Sequence, residues 1–312
     1  MERRYTEIIA GPEEAGREVG SLLRGLLGFS AARIRSVKFD PEGLMVVGER
    51  VTVRHKMREG EVLRVLLEDS SLREQKLLPY DVPLEVLYED ADVICVNKPT
   101  GMVCHPSIGH YADTLANALA ARFAAAGSGA VHLAGRLDKE TSGVVLCAKN
   151  GAASDRLKAQ RASGKMEKTY LALVRGDLSA GQTGEIRLPL KDVREGPSGH
   201  VLSRPAEEGE GRSAVTSYEV TACGGGISAV KVRIATGRMH QIRAHFAAVG
   251  HPLCGDRVYG EEEDPALSRT ALHAAQLRFF QPFTGEEIRV RAPLPEDMRE
   301  RLRAAWIDAA DI

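Results

Sequence analysis

The chain has 312 residues, of which 43% are hydrophobic, with 42 basic and 43 acidic residues and a formal net charge of −1. This length allows one large domain or two smaller ones, and a charge so close to zero argues against a protein that coats nucleic acid by bulk charge alone. The sequence contains neither an apolar run long enough for a transmembrane helix nor the apolar segment of a secretory signal near its start.

The five cysteines are an odd number and are widely spaced, with no C-x-x-C pair. This pattern predicts neither a disulfide framework nor a zinc site. Two of them stand in apolar runs, so we expect them to be buried as small hydrophobic residues. The arrangement is typical of a reducing, cytoplasmic setting. The two in apolar runs are Cys95 and Cys147, and the others are Cys104, Cys223 and Cys254.

Residues 1–75 form a self-contained unit in our interpretation. Leucines at helical spacing predict a helix over about 13–27, and Ser30 is placed to cap a second short helix that runs through Ile34. The period then changes, and the sequence predicts a hairpin within 44–53 and a strand over 62–67. The charges in this unit are mixed, so it is not a basic arm.

The remainder of the chain is predicted to be a second, larger domain of the α+β class. Residues 71–82 resemble a linker, because Pro79 and Pro83 disfavour a helix there, and we place the linker itself at 76–83 and the second domain at 84–312. Strands and helices alternate irregularly in it, which argues against a doubly wound parallel sheet. A stretch rich in Gly, Glu, Pro and Ser at 193–212 is predicted to be an exposed loop. The predicted strands are 84–88, 93–97, 143–149, 169–174, 213–221, 227–234, 277–279 and 287–291, and the predicted helices are 113–124, 151–162, 239–248 and 296–308.

The first cluster that could carry chemistry is the charged run 132–143, which ends directly before an apolar strand. Asp138 in this run would lie on a loop made rigid by the sheet behind it, which suits a reactive carboxylate. Asp, Ser and Gly are also common in ordinary turns. The pattern alone therefore leaves both a functional and a purely structural reading open.

A second cluster, 236–245, contains two arginines and two histidines around the start of a predicted helix. On that helix, His240 and Arg243 would share a face. Arg238 would stand at the helix start, where a cation opposes the helix dipole, and an anionic ligand such as phosphate explains it better than helix stability does. A solvated basic face and a metal site are the alternatives. His240 and His245 lack the spacing and the Glu of a zinc-binding H-E-x-x-H motif.

Tyr170 is the third candidate, at the start of a predicted strand where it would share a sheet face with Ala172 and Val174. It is either a core aromatic residue with a satisfied hydroxyl or a platform on which a base stacks. Two Pro- and Gly-rich loops, 97–106 and 250–260, carry His-Pro pairs and polar donors. We interpret these loops, including His105, His251 and Asp256, as structural.

Together these motifs resemble the RluA/RluD-type pseudouridine synthases. The resemblance spans about 84–295, and the pairing of the 136–143 motif with the 236–245 motif is its most specific part. It implies a mixed, mainly antiparallel central sheet with an active-site cleft. It further implies that Asp138 is the catalytic aspartate, that Arg243 pairs with it and keeps it ionised, and that Tyr170 stacks beneath the target uracil. Arg136 would fill the space left by the flipped nucleotide, and substrate-binding positions would further include Thr141, Arg238, His240, Gln241 and Ile242. Gly135 is a departure, because many relatives have His there.

The resemblance also implies an RNA substrate and a reaction without cofactor or metal. Uridine isomerisation involves no net redox change, and a carboxylate nucleophile, attacking the uracil ring or the sugar, meets its chemical need. We expect a structured RNA, either ribosomal RNA of the large subunit or transfer RNA, a cytoplasmic location, a monomer, and no obligate protein partner. The first unit resembles the alpha-L RNA-binding domain often fused to these enzymes, although Ala31 stands where a basic residue is usual.

Two other functions remain as alternatives. The first is a non-catalytic RNA-binding factor of ribosome assembly that keeps the same fold. The second is a metal-dependent phosphoesterase that uses Asp138, Asp256 and histidines, although the chain has no short-range spacing of metal ligands. The intact set of Asp138, Tyr170 and Arg243 favours the synthase.

Overall fold

The structure is a computed structural model that describes residues 3–68, 77–126, 130–195, 200–207, 209–260, 264 and 266–309. Within these residues the strands form a four-stranded sheet near the start of the chain, a ten-stranded sheet in the remainder, and a separate two-stranded ribbon. The predicted α+β class is confirmed. No helix among the described residues is long and apolar enough to cross a membrane.

The first unit packs two short helices on an antiparallel sheet with strand order β1-β4-β2-β3. Leucine and valine side chains from both helices and from the sheet form its core. Ser30 caps the second helix, accepting a hydrogen bond from the backbone N–H of Arg33 at 3.2 Å. The elements are β1 (Tyr5–Ile9), α1 (Val19–Gly25), α2 (Ala31–Phe39), β2 (Leu44–Val46), β3 (Glu49–Arg50) and β4 (Val62–Leu66).

Several expectations for this unit need correction. Strand β1 was not predicted, and it pairs along its whole length with β4. The first helix begins only at Val19, because residues 12–16 form turns. The hairpin is real, but its second strand is Glu49–Arg50 rather than 51–53. Most of the expected linker, residues 69–76, lies outside the described residues, and 77–83 contains no helix or strand.

The second unit is built on the larger sheet. Its strand order is β10-β13-β14-β9-β15-β8-β6-β5, with β16 on β15 and β7 on β8. The elements are β5 (Glu85–Glu89), β6 (Val93–Lys98), α3 (Leu115–Ala125), β7 (His132–Leu133), β8 (Ser142–Ala148), α4 (Gly151–Ala162), β9 (Glu167–Arg175), β10 (Thr183–Arg187), β11 (Leu190–Glu195), β12 (His200–Pro205), β13 (Val215–Gly224), β14 (Ile227–Ile234), α5 (Gln241–Ala248), β15 (Leu272–Phe280), β16 (Glu287–Arg291) and α6 (Glu296–Ala304).

The sheet is mainly antiparallel, as expected, and its one parallel pairing in the described chain joins β8 to β15. Gly143 makes this pairing possible. Its φ is +110°, and a Cβ there would lie 2.3 Å from the carbonyl oxygen of Ala274. Only glycine permits so close an approach of two backbones. The strand that leaves the Asp138 turn is thereby fixed at the centre of the sheet.

The two faces of β9 separate the site from the back of the molecule. Tyr170, Ala172 and Val174 belong to the core on one face, together with residues of α3 and α5. Leu171 and Leu173 point to the other face, where α6 packs. The alternation predicted for this strand is therefore confirmed, and it places Tyr170 on the side that carries α5.

The predicted exposed loop at 193–212 is wrong over part of its length. Strands β11 and β12 pair antiparallel from Leu190 to Pro205, while 196–199 and 208 lie outside the described residues. Arg204 donates to both carboxylate oxygens of Glu195 at 2.9 and 2.8 Å. This exposed ion pair contributes little free energy, and the backbone ladder between the two strands defines the ribbon.

One region in which the first unit contacts the second is α4. Ala152 of this helix is completely buried within the core of the first unit. Asp155 accepts a hydrogen bond from the backbone N–H of Ser30 at 2.9 Å, and Arg156 donates to the carbonyl oxygen of Leu27 at 3.2 Å. These contacts lie on α4 and not on the Asp138 turn.

Candidate active site

Asp138 lies in the turn between β7 and β8, half-buried, with its neighbours held from two sides. The turn is closed by the backbone N–H of Thr141, which donates to the Asp138 carbonyl oxygen at 3.1 Å. From one side, Lys98 Nζ and the N–H of Gly101 donate to the Lys139 carbonyl oxygen at 3.2 and 2.9 Å. The loop at 97–106 is structural, as expected, and its function is to hold the aspartate turn.

The other side of the turn is anchored to the segment before β15. Thr270 donates to Glu140 Oε2 through its N–H at 3.1 Å and its hydroxyl at 2.9 Å. Ser142 Oγ lies 2.9 Å from Nδ1 of His273, whose pKa is lowered to about 4 by burial, so this histidine is neutral. These contacts fix the backbone of the turn that carries Asp138, and a fixed backbone position is one requirement for a preorganised reactive group.

Tyr170 is buried within the core beside Leu137 and Ile242, close to Asp138. Burial, and then the negative charge of Asp138, raise the pKa of the Tyr170 hydroxyl. The hydroxyl is therefore protonated at neutral pH. The aspartate and the tyrosine hydroxyl, which are far apart in sequence, therefore lie close enough together for the charge of Asp138 to act on the hydroxyl.

Arg243 is almost completely buried on α5, and its carboxylate partner is Asp256. Nε and Nη2 of Arg243 donate to the two Asp256 oxygens at 2.7 and 2.8 Å. The expected hydrogen-bonded pair of Arg243 and Asp138 is thus wrong in this structure. Burial opposes the charge of Arg243, but Asp256 and then Asp138, at longer range, outweigh it and raise the pKa of Arg243. Arg243 is thus bound by Asp256 and lies close enough to Asp138 for the charge of that residue to act on it.

Asp256 was interpreted as structural, and its contacts agree. Oδ1 also accepts the backbone N–H groups of Val258 and Tyr259, at 3.0 and 3.1 Å. Burial alone would raise the pKa of Asp256, yet the hydrogen bonds and charge of Arg243 hold it below its usual range. With its oxygens committed to these donors, Asp256 is not available as a metal ligand. Within the described chain, no group of three or more His, Cys, Asp or Glu could hold a metal ion.

His240 does not share a helix face with Arg243, because α5 begins one residue later, at Gln241. His240 has a left-handed backbone with φ of +49°. Its Nδ1 lies 3.1 Å from the hydroxyl of Tyr259, whose ring in turn lies 5.1 Å below the Arg243 guanidinium. Burial lowers the pKa of His240, and the charge of Asp138 offsets this only in part. A neutral histidine therefore faces the cleft.

Tyr259 is a site residue that the sequence did not reveal. Besides His240 and Arg243, it contacts the β11–β12 ribbon, because its hydroxyl accepts the backbone N–H of Ser203 at 2.9 Å. It was present in the 250–260 motif, but nothing local distinguishes it from a structural tyrosine. Only the fold brings this ring between α5 and the ribbon.

The other predicted substrate-binding residues fall into two groups. Arg136 is exposed and close enough to His240 and His105 to lower the pKa of each. Arg238 is partly exposed and donates to the Ser213 carbonyl oxygen at 3.1 Å. These two arginines can reach a ligand in the cleft.

Thr141, Gln241 and Ile242 are buried instead. Gln241 donates to the Val215 carbonyl oxygen at 2.9 Å and accepts from the Thr236 hydroxyl at 2.8 Å and the N–H of Arg238 at 3.1 Å. Their burial favours a role in shaping the loops around the cleft over the direct contact with RNA that we predicted.

Lys98 is the second residue whose role the sequence left hidden. It is completely buried, and besides Lys139 its ammonium donates to the carbonyl oxygens of Pro99 and Met102 at 2.8 and 2.7 Å. Burial lowers its pKa to about 8, against the charges of Cys104 and Asp138, which raise it. A buried cation with three carbonyl partners thus supports the aspartate turn from beneath.

Comparison with known proteins agrees with this geometry. The family described as RNA pseudouridylate synthase matches residues 92–248. The uncharacterized RNA pseudouridine synthase YjbO of Bacillus subtilis is 35% identical over 280 residues, which cover 89% of this chain and 96% of the relative. The ribosomal large subunit pseudouridine synthase D of Xanthomonas campestris is 35% identical over 316 residues, covering 95% of this chain and 91% of the relative.

A solved structure, human RNA pseudouridylate synthase domain containing 1, superposes with a TM-score of 0.55 at 27% identity and covers 72% of this chain and 95% of its own. The chain belongs to the RNA pseudouridine synthase family of the RluA/RluD type and is an isomerase that acts on RNA.

Proposed function

We propose that this protein converts uridine to pseudouridine in structured ribosomal RNA of the large subunit, with Asp138 as its nucleophile. The observation that supports the proposal is that Asp138, Tyr170 and Arg243 lie close enough together for the charge of Asp138 to act on the other two. The choice of RNA is supported by relatives named as large-subunit synthases.

The reaction needs only groups that this chain carries. The bond between N1 and the sugar C1′ breaks, the base rotates, and a bond forms between C5 and C1′, while C5 loses a proton and N1 gains one. Electrons and atoms balance within the nucleotide, so no oxidant, reductant or nucleotide cofactor is consumed. The Asp138 carboxylate holds the detached fragment by attack on the uracil ring or on C1′, or it drives formation of a glycal.

The target base has to leave its stack before Asp138 can reach it. In our proposal the ring of Tyr170 is the floor on which the flipped uracil rests, and Arg136, at the exposed edge of the cleft, occupies the space that the nucleotide vacates. Arg243 contributes a positive charge close to the Asp138 carboxylate. Arg238 contacts the RNA backbone, where a guanidinium matches phosphate geometry.

The first unit would add affinity for RNA. Its two helices and hairpin resemble the alpha-L domain, and its contacts with α4 hold it against the catalytic unit. Recognition by such a module rests on RNA shape and backbone contacts. We further propose that the enzyme acts as a cytoplasmic monomer without an obligate protein partner, which sedimentation analysis of the purified protein would test.

The test compares the wild type with Asp138→Asn on an unmodified large-subunit rRNA transcript, in the presence of chelator, with pseudouridine mapped along the RNA. The wild type is expected to modify discrete uridines, and the variant to bind the same RNA without product. Exposed Asp81, changed to Asn, is the matched control and should remain active. Wild-type binding with no product on ribosomal or transfer RNA would instead favour a non-catalytic assembly factor.

A further inference from the structure

Arg161 lies in the last turn of α4, and its side chain extends to the loops around the site. Neither its sequence context nor the proposed mechanism explains this position. Strand β8 leads away from the Asp138 turn, and α4 follows it and runs back along the sheet, so the end of the helix returns to the edge where Asp138 lies. A basic residue in the last turn suits the helix dipole. The dipole does not explain the position of the Arg161 guanidinium.

The guanidinium lies between the two loops that define the cleft. Nη1 is 3.6 Å from the position that a Cβ on Gly135 would take, and Nη2 is 2.6 Å from the corresponding position on Gly237. Gly135 directly precedes Arg136, and Gly237 directly precedes Arg238. Any side chain at 237 would collide with Arg161 as it stands. The two glycines therefore make room for one arginine.

The surroundings of Arg161 also suit a cation that binds an anionic ligand. Its residue is exposed, and within the described part of the chain the structure gives its side chain neither an ion pair nor a hydrogen bond. Its charge reaches into the cleft, where it acts against the effect of burial on the pKa of Tyr170. It thus stands beside Arg136 and Arg238, on the same side of the cleft as the catalytic turn.

We propose that Arg161 binds a phosphate of the RNA backbone next to the flipped uridine. The inference rests on the proposed function and adds to it a contact from α4 that joins both cleft loops to the substrate. A guanidinium without a carboxylate partner binds phosphate through two parallel hydrogen bonds. Held between Gly135 and Gly237, the guanidinium would bind this phosphate at the edge of the cleft and add to the affinity for RNA.

The experiment measures RNA binding as a function of salt for Arg161→Gln, in an Asp138→Asn background that stops turnover, on the unmodified large-subunit transcript. Loss of one charge-assisted contact should raise Kd about 10- to 100-fold. It should also reduce the slope of log K against log salt by about 0.7, the value for one single-strand phosphate contact. Lys158→Gln, on the same helix and exposed but one turn further from the cleft, is the matched control and should change neither quantity.

A second variant tests the geometry. In Gly237→Ala the new Cβ would displace the guanidinium, so affinity should fall with Arg161 present and fall little further when Arg161 is already Gln. Equal losses in both backgrounds would overturn the pairing of Arg161 with Gly237.

A third measurement separates phosphate binding from support of the loops. Arg161→Gln in the otherwise wild-type enzyme should keep most of its single-turnover rate at saturating RNA. A reduced rate with unchanged Kd and salt slope would mean that Arg161 only braces the loops, and would refute the proposal. If the wild type makes no pseudouridine on any RNA, the proposed function fails, while the salt slopes still decide whether Arg161 binds phosphate.

Discussion

The ion pair between Arg243 and Asp256 is buried deeply enough for the cost of breaking it to be predicted. The Asp256 side chain is 0% exposed and accepts four hydrogen bonds, two of them from Arg243. Asp256→Asn keeps the shape but removes the charge and turns an N–H group towards the guanidinium. Removing one partner of a buried pair costs about 3–5 kcal/mol. Urea unfolding followed by circular dichroism should therefore show a free energy of unfolding lower by about that amount.

The same substitution, Asp256→Asn, should also lower the rate of the reaction. In Asp256→Asn the Arg243 guanidinium loses the charge and one of the two bonds that orient it, and Asp138 is the nearby carboxylate that its charge already reaches. We expect the single-turnover rate of pseudouridine formation to fall much more than the affinity for RNA. Equal losses of rate and affinity would mean that Arg243 serves as a phosphate contact instead.

The control is the pair of Arg269 and Asp297, of which Arg269 contacts the Asp138 turn at the Glu140 carbonyl oxygen. Arg269 is as buried as Arg243, but the Asp297 side chain is 37% exposed. Water can replace its partner in part, so Asp297→Asn should cost clearly less stability than Asp256→Asn. A loss below about 1 kcal/mol for Asp256→Asn, or one equal to that of the control, would refute the assignment of a strong buried pair.

The pH dependence of this pair has a definite sign. The pKa of Asp256 is held below its usual value, since the bonds and charge of Arg243 outweigh the effect of burial. The stabilisation is therefore present above the ordinary aspartate range and is lost as the pH falls through the lower value of the folded protein. Asp256→Asn should lose less stability on acidification than the wild type does.

Two more predictions concern the surroundings of the site. Burial lowers the pKa of Lys98 to about 8, so between that value and 10.5 the unfolded chain holds a proton that the folded protein has lost, and the free energy of unfolding should rise with pH in this window. Lys98→Met should remove part of this rise, measured by urea unfolding, while Lys168 supplies another part. A rise that is unchanged in the variant would contradict the prediction. Deleting residues 1–75 should raise the Kd for RNA but leave the chemical step on bound RNA nearly unchanged, because the contacts of this unit described above lie on α4. A deletion variant that binds RNA but forms no pseudouridine would show that the first unit shapes the cleft.

The elements that the sequence predicted well are those with a strong local period. Helix α4 has the predicted bounds. Along β9, successive side chains alternate between the two hydrophobic cores that cover the two faces of the sheet, as the sequence pattern predicted. The β11–β12 ribbon was missed for the opposite reason. Its residues are mostly polar, so it has the composition of a loop.

The start of α5 shows how tertiary contacts override a local pattern. Apolar spacing extends the predicted helix back to 239, yet the Gln241 side chain bonds both Thr236 and the N–H of Arg238, which fixes the preceding loop. His240 then takes a left-handed backbone and turns to Tyr259. The motif predicted which residues form the site, but their partners, including Asp256 for Arg243, depend on this local geometry.

Arg161 lies beyond what a sequence alone can reveal, for a physical reason. Its place in the last turn of a helix is ordinary, and Gly135 and Gly237 are each unremarkable in a loop. The fold brings both glycines next to the same guanidinium, and because neither glycine has a side chain, the Arg161 guanidinium fits between them. The signal is a relation among three distant positions. It becomes visible only when the path of α4 back towards Asp138 is known, and that path follows from the packing of the helix on β8.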